Sequence, residues 1–287
     1  MNRKERVRKW WSENPMTYGL THGRADYNDG LREKGSREFF ERLDREFCGW
    51  NPHLHDEQSF DRLFPYGEFA KGARVLEIGC GLGTMAMNWA LNGAKVTAVD
   101  LNPTAVAQTK HRFEIFELEG DIQIEDANQL SFSNQTFDYV YSWGALHHSP
   151  SLERSISEMM RVLRSGGGFG IMLYNRESIL YWYMTKYIEG FLHYENRFLG
   201  PLELASRYGD GHREEGNPYT WPVTEGEIRD ILVPYCRSLH VRKLGTELDS
   251  IAKLLLPGIG MILPRWAKKV WARRFGWSLW IYGYKTK

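Results

Sequence analysis

The sequence predicts a doubly wound α/β fold with a mostly parallel, seven-stranded sheet, a helical cap in front of it and aromatic insertions within it. Two observations carry this prediction. From residue 73 onward, short apolar and β-branched runs alternate with segments of helical periodicity. The first of these runs ends in a glycine-rich turn that opens a helix. Strands that alternate with helices are joined by right-handed crossovers, so they lie parallel.

Each element of the predicted sheet can be placed on the sequence. The runs predicted as strands lie at 73–79, 95–100, 122–126, 137–144, 167–175, 238–247 and 277–285. The helices predicted between them lie at 84–93, 103–118, 149–168 (ending in a glycine turn) and 224–232. Three local signals support these helices: a proline at a first position (Pro103), a glycine after a last turn (Gly93) and a capping box (Thr224 with Glu227).

The parts outside the alternation predict the domain organisation. Residues 1–70 are expected to form a helical cap or lid, followed by one α/β domain over 71–287. Within the cap, four apolar residues recur at helical spacing, namely Phe39, Phe40, Leu43 and Phe47. Two aromatic segments, about 176–220 and 247–276, interrupt the α/β pattern and are expected to cover the substrate.

Charge and cysteine content exclude several classes of protein. The formal net charge of +1 argues against the broad basic surface of a nucleic-acid-binding protein, so we expect no nucleic-acid partner. The three cysteines, Cys48, Cys80 and Cys236, have no metal-ligand spacing, so no metal site is predicted, and their sparse use favours a reducing, cytoplasmic compartment. The longest apolar run, 254–264, is about half the length of a spanning helix.

The glycine-rich turn is the strongest functional signal. Gly79, Gly81 and Gly83 follow the first strand, and Asp100 ends the second, where a carboxylate can accept hydrogen bonds from ribose hydroxyls. The stretch 81–86 also fits a dinucleotide fingerprint, so an NAD(P)-dependent oxidoreductase is one interpretation. Two further features favour a ligand without phosphate. Glu77, before the glycines, suits a cationic group, and Asp126-Ala127 can read the edge of an adenine.

In this order, E-x-G-x-G-x-G (77–83), Asp100, Asp126-Ala127, FDYVYSWGALHH (137–148) and LRSGGG (163–168) resemble class I S-adenosylmethionine-dependent methyltransferases. The resemblance covers about 73–175 and is to the small-molecule branch that includes quinone and sterol methyltransferases. It implies a Rossmann-like fold and S-adenosyl-L-methionine (SAM) as the cofactor.

The resemblance also implies a role for each matching residue. Around the methionine moiety and the ribose it places Glu77, Gly79, Gly81 and Gly83. Asp100 would bind the ribose hydroxyls, Leu101 would pack on the adenine, and Asp126 with Ala127 would read the adenine edge. At the methyl-donor end it places Ser142 and Trp143. The sequence departs from the family after His148, where Ser149 and Ser151 replace Val and Asp of an H-V-P-D motif.

Candidates for proton transfer follow the fourth predicted strand. His147 and His148 are expected at the mouth of the pocket, where a histidine can act as a base near neutral pH. Alternatively, one of them caps or supports the next helix. Tyr18, with His22 beside it in the N-terminal loop, is a third candidate, as part of a lid over the cofactor.

The aromatic insertions predict a small acceptor that is lipophilic or aromatic. From 251 to 287 the chain carries eight Lys or Arg and no acid. Two interpretations of 251–276 stay open: a lid packed on the core, or a segment that contacts an anionic membrane surface as a peripheral protein does. Outside enzymes, a silent SAM-binding partner protein is the alternative.

Overall fold

The computed structural model describes residues 1–14, 35–51, 54, 59–69, 71–208, 217–236, 238–245 and 264–286. In this part of the chain the α-helices are α1 (Arg3–Glu13), α2 (Arg37–Trp50), α3 (Tyr66–Phe69), α4 (Thr84–Leu91), α5 (Pro103–Ile115), α6 (Leu152–Val162), α7 (Pro201–Tyr208), α8 (Glu225–Leu232) and α9 (Arg265–Phe275). The strands are β1 (Arg74–Ile78), β2 (Lys95–Asp100), β3 (Asp121–Ile124), β4 (Phe137–Trp143), β5 (Leu163–Tyr174), β6 (Leu239–Leu244) and β7 (Ser278–Tyr284). A π-helix spans Tyr181–Leu192, and 3-10 helices span Leu146–His148 and Glu195–Arg197.

The strands form a seven-stranded sheet in the order β3-β2-β1-β4-β5-β7-β6. Strand β1 runs parallel to β2 and β4, and β2 runs parallel to β3. Strand β7 pairs antiparallel with β6. The order reverses at β1, as in a doubly wound sheet, so the predicted fold class is confirmed. Among the described residues, no helix has the length and apolar character needed to cross a bilayer.

Contacts divide the chain into two compact units, which are described separately. The N-terminal unit comprises Arg8–Ser142 and Glu158–Gly168. The C-terminal unit comprises Met1–Val7, Trp143–Ser157 and Phe169–Lys287. The predicted division of the chain at residue 70 stays a prediction.

The local helix signals act as expected from the sequence. Asn102 caps α5, and Pro103 occupies the first position of that helix, where its missing N–H costs nothing. Gly93, two residues after α4, has a φ of +87°, which a glycine adopts without strain. Thr224 and Glu227 form the predicted capping box of α8. All four apolar residues predicted for the buried face of α2 are buried, namely Phe39, Phe40, Leu43 and Phe47.

One predicted boundary differs from the structure. The helix predicted over 149–168 ends at Val162, and the glycines after it lie inside β5. They are needed there for close packing. A Cβ on Gly167 would lie 2.8 Å from the carbonyl oxygen of Asp138, and a Cβ on Gly168 would lie 2.9 Å from the ring of Phe69. The π-helix had no counterpart in the sequence patterns, which predicted only an aromatic insertion there.

Candidate active site

The glycine loop between β1 and α4 has the geometry that its sequence requires. Gly79, Gly81 and Gly83 have φ angles of +83°, +54° and +80°, a region that side chains with a Cβ rarely adopt. The loop begins where the Gly79 N–H donates to the Val99 carbonyl, 2.7 Å away, which ties it to the end of β2. Glycine is therefore required here by backbone conformation alone.

Two glycines of this loop face different surroundings. A Cβ on Gly83 would lie 2.8 Å from Thr109 Cγ2, so the loop is pressed against α5 at this point. A Cβ on Gly81 would meet none of the described residues within 4 Å. The Thr109 hydroxyl donates to the Gly81 carbonyl at 2.9 Å and holds the open peptide in place. The backbone at Gly81 can therefore be approached closely by a ligand.

Asp100, at the end of β2, lies beside this open position. Its Oδ2 accepts a hydrogen bond from the Gly81 N–H at 3.0 Å, and its Oδ1 accepts one from the Asn102 N–H at 2.9 Å. Each carboxylate oxygen has a second lone pair, so both oxygens can still accept from a ligand diol. Burial raises the pKa of Asp100 above its ordinary value, while the N–H donors of Asn102, Gly81 and Leu101 oppose that rise. The residues fit a ribose.

Glu77 lies beneath the glycine loop, with 3% of its surface exposed. Burial raises its pKa to about 8; the nearby Tyr141 hydroxyl lowers it, and Asp100 raises it further. The Ala86 N–H, in the first turn of α4, lowers the pKa as well. Gly83, the N-cap of that helix, has no side chain to cap it. Glu77 thus lies close to the first turn of α4, and its predicted contact with a cationic ligand stays a prediction.

The remaining predicted adenine contacts lie after β2 and β3. Leu101 is half-buried in the turn before α5. Asp126 accepts from the Asn128 N–H at 2.9 Å, which closes a short turn around the half-buried Ala127.

Ser142, near the end of β4, donates its hydroxyl proton to the Ile78 carbonyl at 2.7 Å. This bond joins the carboxyl ends of β1 and β4 just before the glycine loop begins. The predicted cofactor residues of the N-terminal unit thus follow the ends of four parallel strands, where ligands bind in doubly wound sheets.

The C-terminal unit contains a second cluster, the histidine cluster, in which the two predicted residues His147 and His148 pack with Tyr174 and Trp277. The His147 ring lies 3.9 Å from the Tyr174 ring and 4.2 Å from the His148 ring, measured between centroids. Tyr174 packs in turn on Trp277 at 4.5 Å. Trp143, predicted near the methyl-donor end, packs on Trp280 at 5.8 Å.

His147 is fully buried, yet neither ring nitrogen has a hydrogen-bond partner among the described residues. Burial lowers its pKa well below the ordinary value, and the neighbouring His148 lowers it further. The ring is therefore neutral at neutral pH. A buried polar group without a partner is costly, so a native structure that keeps one invites a functional explanation.

Unlike His147, His148 has polar contacts through its Nδ1. Its Nδ1 lies 3.1 Å from the Tyr219 carbonyl, 3.1 Å from Asn217 Nδ2 and 3.2 Å from the Thr220 hydroxyl. These contacts fix the ring that packs on His147. They agree with a supporting role for one histidine of the pair.

Asn175 follows β5 directly, and Tyr18 is the residue predicted to be part of a lid. Asn175 is fully buried; its Nδ2 donates to the Gly276 carbonyl at 2.8 Å and its Oδ1 accepts from the Glu177 N–H at 3.0 Å. It is therefore part of the framework. Tyr18, with His22, lies outside the described residues.

Sequence reasoning missed several residues that shape the site. Thr109 and Arg112 on α5 contact the glycine loop from behind, and Trp277 packs on Tyr174. The first two gave a weak signal, since they are polar residues at the spacing of the buried face that also contains Val106 and Phe113. Trp277 gave none, because its partner is about a hundred residues away.

Comparisons with known proteins agree with this geometry. Residues 75–167 match the family model described as a methyltransferase domain. The chain is 39% identical over 98 residues to a phthiotriol/phenolphthiotriol dimycocerosates methyltransferase of Mycobacterium leprae, covering 33% of this chain and 36% of the relative. It is 30% identical over 142 residues to a ubiquinone biosynthesis O-methyltransferase of Coxiella burnetii, covering 47% and 61%. It is 32% identical over 139 residues to a sterol 24-C-methyltransferase of Gibberella zeae, covering 43% and 37%. The chain thus spans less than two thirds of the length of these relatives.

Solved structures support the fold. A chain of a complex between a Haloferax volcanii methyltransferase activator and methyltransferase superposes with a TM-score of 0.57 at 14% identity, covering 88% of this chain and 96% of that one. A SAM-dependent methyltransferase from Methanosarcina mazei superposes with a TM-score of 0.53 at 20% identity, covering 78% and 98%. The family match over residues 75–167 and the relatives at 30–39% identity support a class I S-adenosylmethionine-dependent methyltransferase domain with SAM as its cofactor, and the solved structures show the same fold.

Proposed function

We propose that this protein transfers a methyl group from SAM to a small acceptor that is lipophilic or aromatic. The observation that carries the proposal is the pairing of an open glycine backbone at Gly81 with the spare acceptor positions of Asp100. This pairing suits a ribose, whose two hydroxyls can donate to the Asp100 carboxylate. When bound, SAM supplies a methyl group already activated for in-line displacement.

The residues of the N-terminal unit would position the cofactor. Asp100 would accept hydrogen bonds from both ribose hydroxyls, and Asp126 with Ala127 would contact the adenine edge. Leu101 would pack on the adenine face. Thr109 would keep the Gly81 peptide in its open position through the hydrogen bond to its carbonyl.

His147 is our candidate for the residue that accepts the acceptor's proton. It is neutral, and neither of its ring nitrogens is committed to another described residue. A neutral imidazole can take a proton from a phenol or enol hydroxyl as the methyl group arrives, and general-base catalysis of this kind typically contributes about 10²–10⁴-fold in rate. His148 and Tyr174 would keep the ring oriented.

Transfer of a labelled methyl group tests the proposal. Purified protein is incubated with methyl-labelled SAM and a panel of quinols, phenols and sterols, and label is counted in the organic extract. We expect transfer to at least one acceptor, with His147→Gln reduced about 100-fold or more. The matched control is His193→Gln, because His193 is exposed in the same unit. Binding of SAM without transfer to any acceptor would instead favour a silent SAM-binding protein.

Two kinds of observation support a lipophilic acceptor. The names of the relatives refer to phthiotriol and phenolphthiotriol dimycocerosates, ubiquinone biosynthesis and a sterol. In addition, the π-helix exposes Trp182 and Phe191, at 56% and 61%, in a stack through Tyr187. Exposed apolar surface of this kind is typical of surfaces that contact lipophilic ligands or membranes.

We further propose that 251–276 contacts an anionic membrane surface from which such an acceptor is taken. Residues 251–263 lie outside the described part of the chain. In α9, Trp266 is 70% exposed and Val270 is 56% exposed, four residues apart on one face, with exposed Arg273 next on that face. Aromatic and cationic side chains on one helix suit the headgroup interface.

Co-sedimentation with liposomes tests this contact. We expect binding to vesicles of phosphatidylglycerol and none to phosphatidylcholine, with a marked loss in Trp266→Ser/Trp271→Ser. Tyr284→Ser is the control, because Tyr284 is an exposed aromatic residue outside the helix. Equal binding by all three proteins would contradict the contact and leave 251–276 as a lid.

A further inference from the structure

Arg112 of α5 is a charged side chain with no exposed surface, and each of its three guanidinium nitrogens has a hydrogen-bond partner. Nη1 donates to the Leu82 carbonyl at 3.1 Å and to the Thr84 hydroxyl at 3.2 Å, while Nε points to Met87 Sδ at 3.3 Å. Leu82 lies in the glycine loop, and Thr84 begins α4. The Arg112 side chain therefore holds both the end of the glycine loop and the start of α4.

The remaining guanidinium nitrogen, Nη2, faces α2, which lies in the segment predicted as the N-terminal cap. Nη2 of Arg112 forms a short ion pair with Asp44 of α2, which is itself buried. The guanidinium also lies over two aromatic rings, 5.2 Å from the centroid of Phe40 and 5.8 Å from that of Phe116. A buried arginine is tolerated when its charge is paired and its nitrogens are hydrogen-bonded, as the three nitrogens of Arg112 are.

A second polar link joins the same regions independently. The side chain of Asn102 donates to the Trp11 carbonyl at 2.8 Å and accepts from the Ser12 hydroxyl at 3.0 Å. The N–H of the same residue donates to Asp100. The end of α1 is thus one residue removed from the carboxylate assigned to the ribose.

From these contacts we propose that Arg112 is a positioning residue for the glycine loop and that Asp44 of α2 fixes the place of its guanidinium. The segment predicted as the N-terminal cap is then needed to form the SAM site. Arg112 supplies the donors that keep the Leu82 carbonyl and Thr84 turned away from the ligand side. Asp44 fixes where the guanidinium lies. The inference rests on the proposed function, because the ligand of the loop is SAM.

Removal of Asp44 alone cannot test this, since it would leave a buried, unpaired charge and destabilise the whole fold. The double variant Asp44→Leu/Arg112→Met removes both charges and keeps the volume apolar, an exchange that is often neutral for stability. A pair that only stabilised the fold would then be dispensable for SAM. A pair that positions the loop would not be.

Calorimetric titration with SAM alone is the readout, so no acceptor is needed. We expect the double variant to melt close to the wild type and to bind SAM at least tenfold more weakly. The exposed Glu41, on the same helix, provides the control Glu41→Leu, which should bind as the wild type does. Wild-type affinity in the folded double variant would overturn the inference.

A second variant decides the matter if the double variant fails to fold. Arg112→Lys keeps the charge for Asp44 but cannot also reach Leu82 and Thr84, because an ammonium lacks the planar fork. We expect SAM binding about five- to tenfold weaker, and unchanged affinity would overturn the inference. Failure of the wild-type protein itself to bind SAM would refute the proposed function instead.

Discussion

Asp100 beside the glycine loop and His147 in the histidine cluster differ in whether their buried polar atoms have hydrogen-bond partners. Around the glycine loop, both Asp100 oxygens and the Gly81 carbonyl have partners within the N-terminal unit. In the histidine cluster, both nitrogens of His147 lack a partner among the described residues. The first arrangement fixes a backbone shape for a constant ligand. The second leaves reactive atoms uncommitted, as expected of a group that exchanges a proton with a changing acceptor.

The largest loss of stability should come from adding a side chain at Gly83, where the glycine loop packs closely against α5. Gly83→Ala combines a positive φ with a Cβ only 2.8 Å from Thr109, so we expect a loss of roughly 2–5 kcal/mol in unfolding free energy. Gly93→Ala is the matched control, because Gly93 has the same φ region but open space around it, and it should cost about 1–2 kcal/mol. Urea denaturation measures both. Equal losses would mean that packing against α5 is not what the loop requires.

In the C-terminal unit, the difference in unfolding free energy between two variants, Asn175→Leu and His147→Leu, should be nearly as large. Asn175→Leu leaves the Gly276 carbonyl and the Glu177 N–H unpaired, and we expect it to cost roughly 2–4 kcal/mol. His147→Leu breaks no hydrogen bond to a described residue, so its stability should stay within about 1 kcal/mol of the wild type while methyl transfer is lost. Thermal and urea denaturation, with the transfer assay, measure both. If His147→Leu were destabilised as strongly as Asn175→Leu, the uncommitted state of His147 would be refuted.

A smaller effect should appear in the pH dependence of stability. Glu77 has a pKa of about 8 when folded, against an ordinary value of 4.5, so between these values the folded protein binds a proton that the unfolded chain has lost. Stability should therefore fall as the pH rises through this window, by at most about 1.4 kcal/mol per pH unit from this group. Asp100 adds a slope of the same sign.

The variant Glu77→Gln stays neutral at every pH and should flatten this slope, because the amide has no proton to lose. Melting temperatures from pH 5 to pH 8 for both proteins measure the difference. Parallel curves would show that Glu77 is ionised in the folded state, as its predicted contact with a cationic ligand would require.

The sequence predicts the parts of the site that depend on neighbouring residues better than the parts that depend on distant ones. The strand order, the glycine loop and Asp100 follow from local patterns, because glycine conformation and strand ends are encoded within a few residues. Arg112, Asn102 and Trp277 also act through partners far away in the chain, and local patterns do not identify these partners. The role of Glu77 was ambiguous for a physical reason. A carboxylate before the glycines can face a cationic ligand or lie beside the first turn of a helix whose N-cap glycine has no side chain, and both arrangements call for the same residue type.

Calorimetric titration of the wild type, Asp100→Ala and Asp121→Ala with SAM and with NADPH tests the central claim most directly. Asp121 is an exposed carboxylate at the start of β3 and serves as the control. We expect the wild type to bind SAM but not NADPH, Asp100→Ala to bind SAM about 10–100-fold more weakly, on the scale of lost charge-assisted hydrogen bonds, and Asp121→Ala to bind as the wild type does. Binding of NADPH without SAM, or unchanged SAM affinity in Asp100→Ala, would contradict the account.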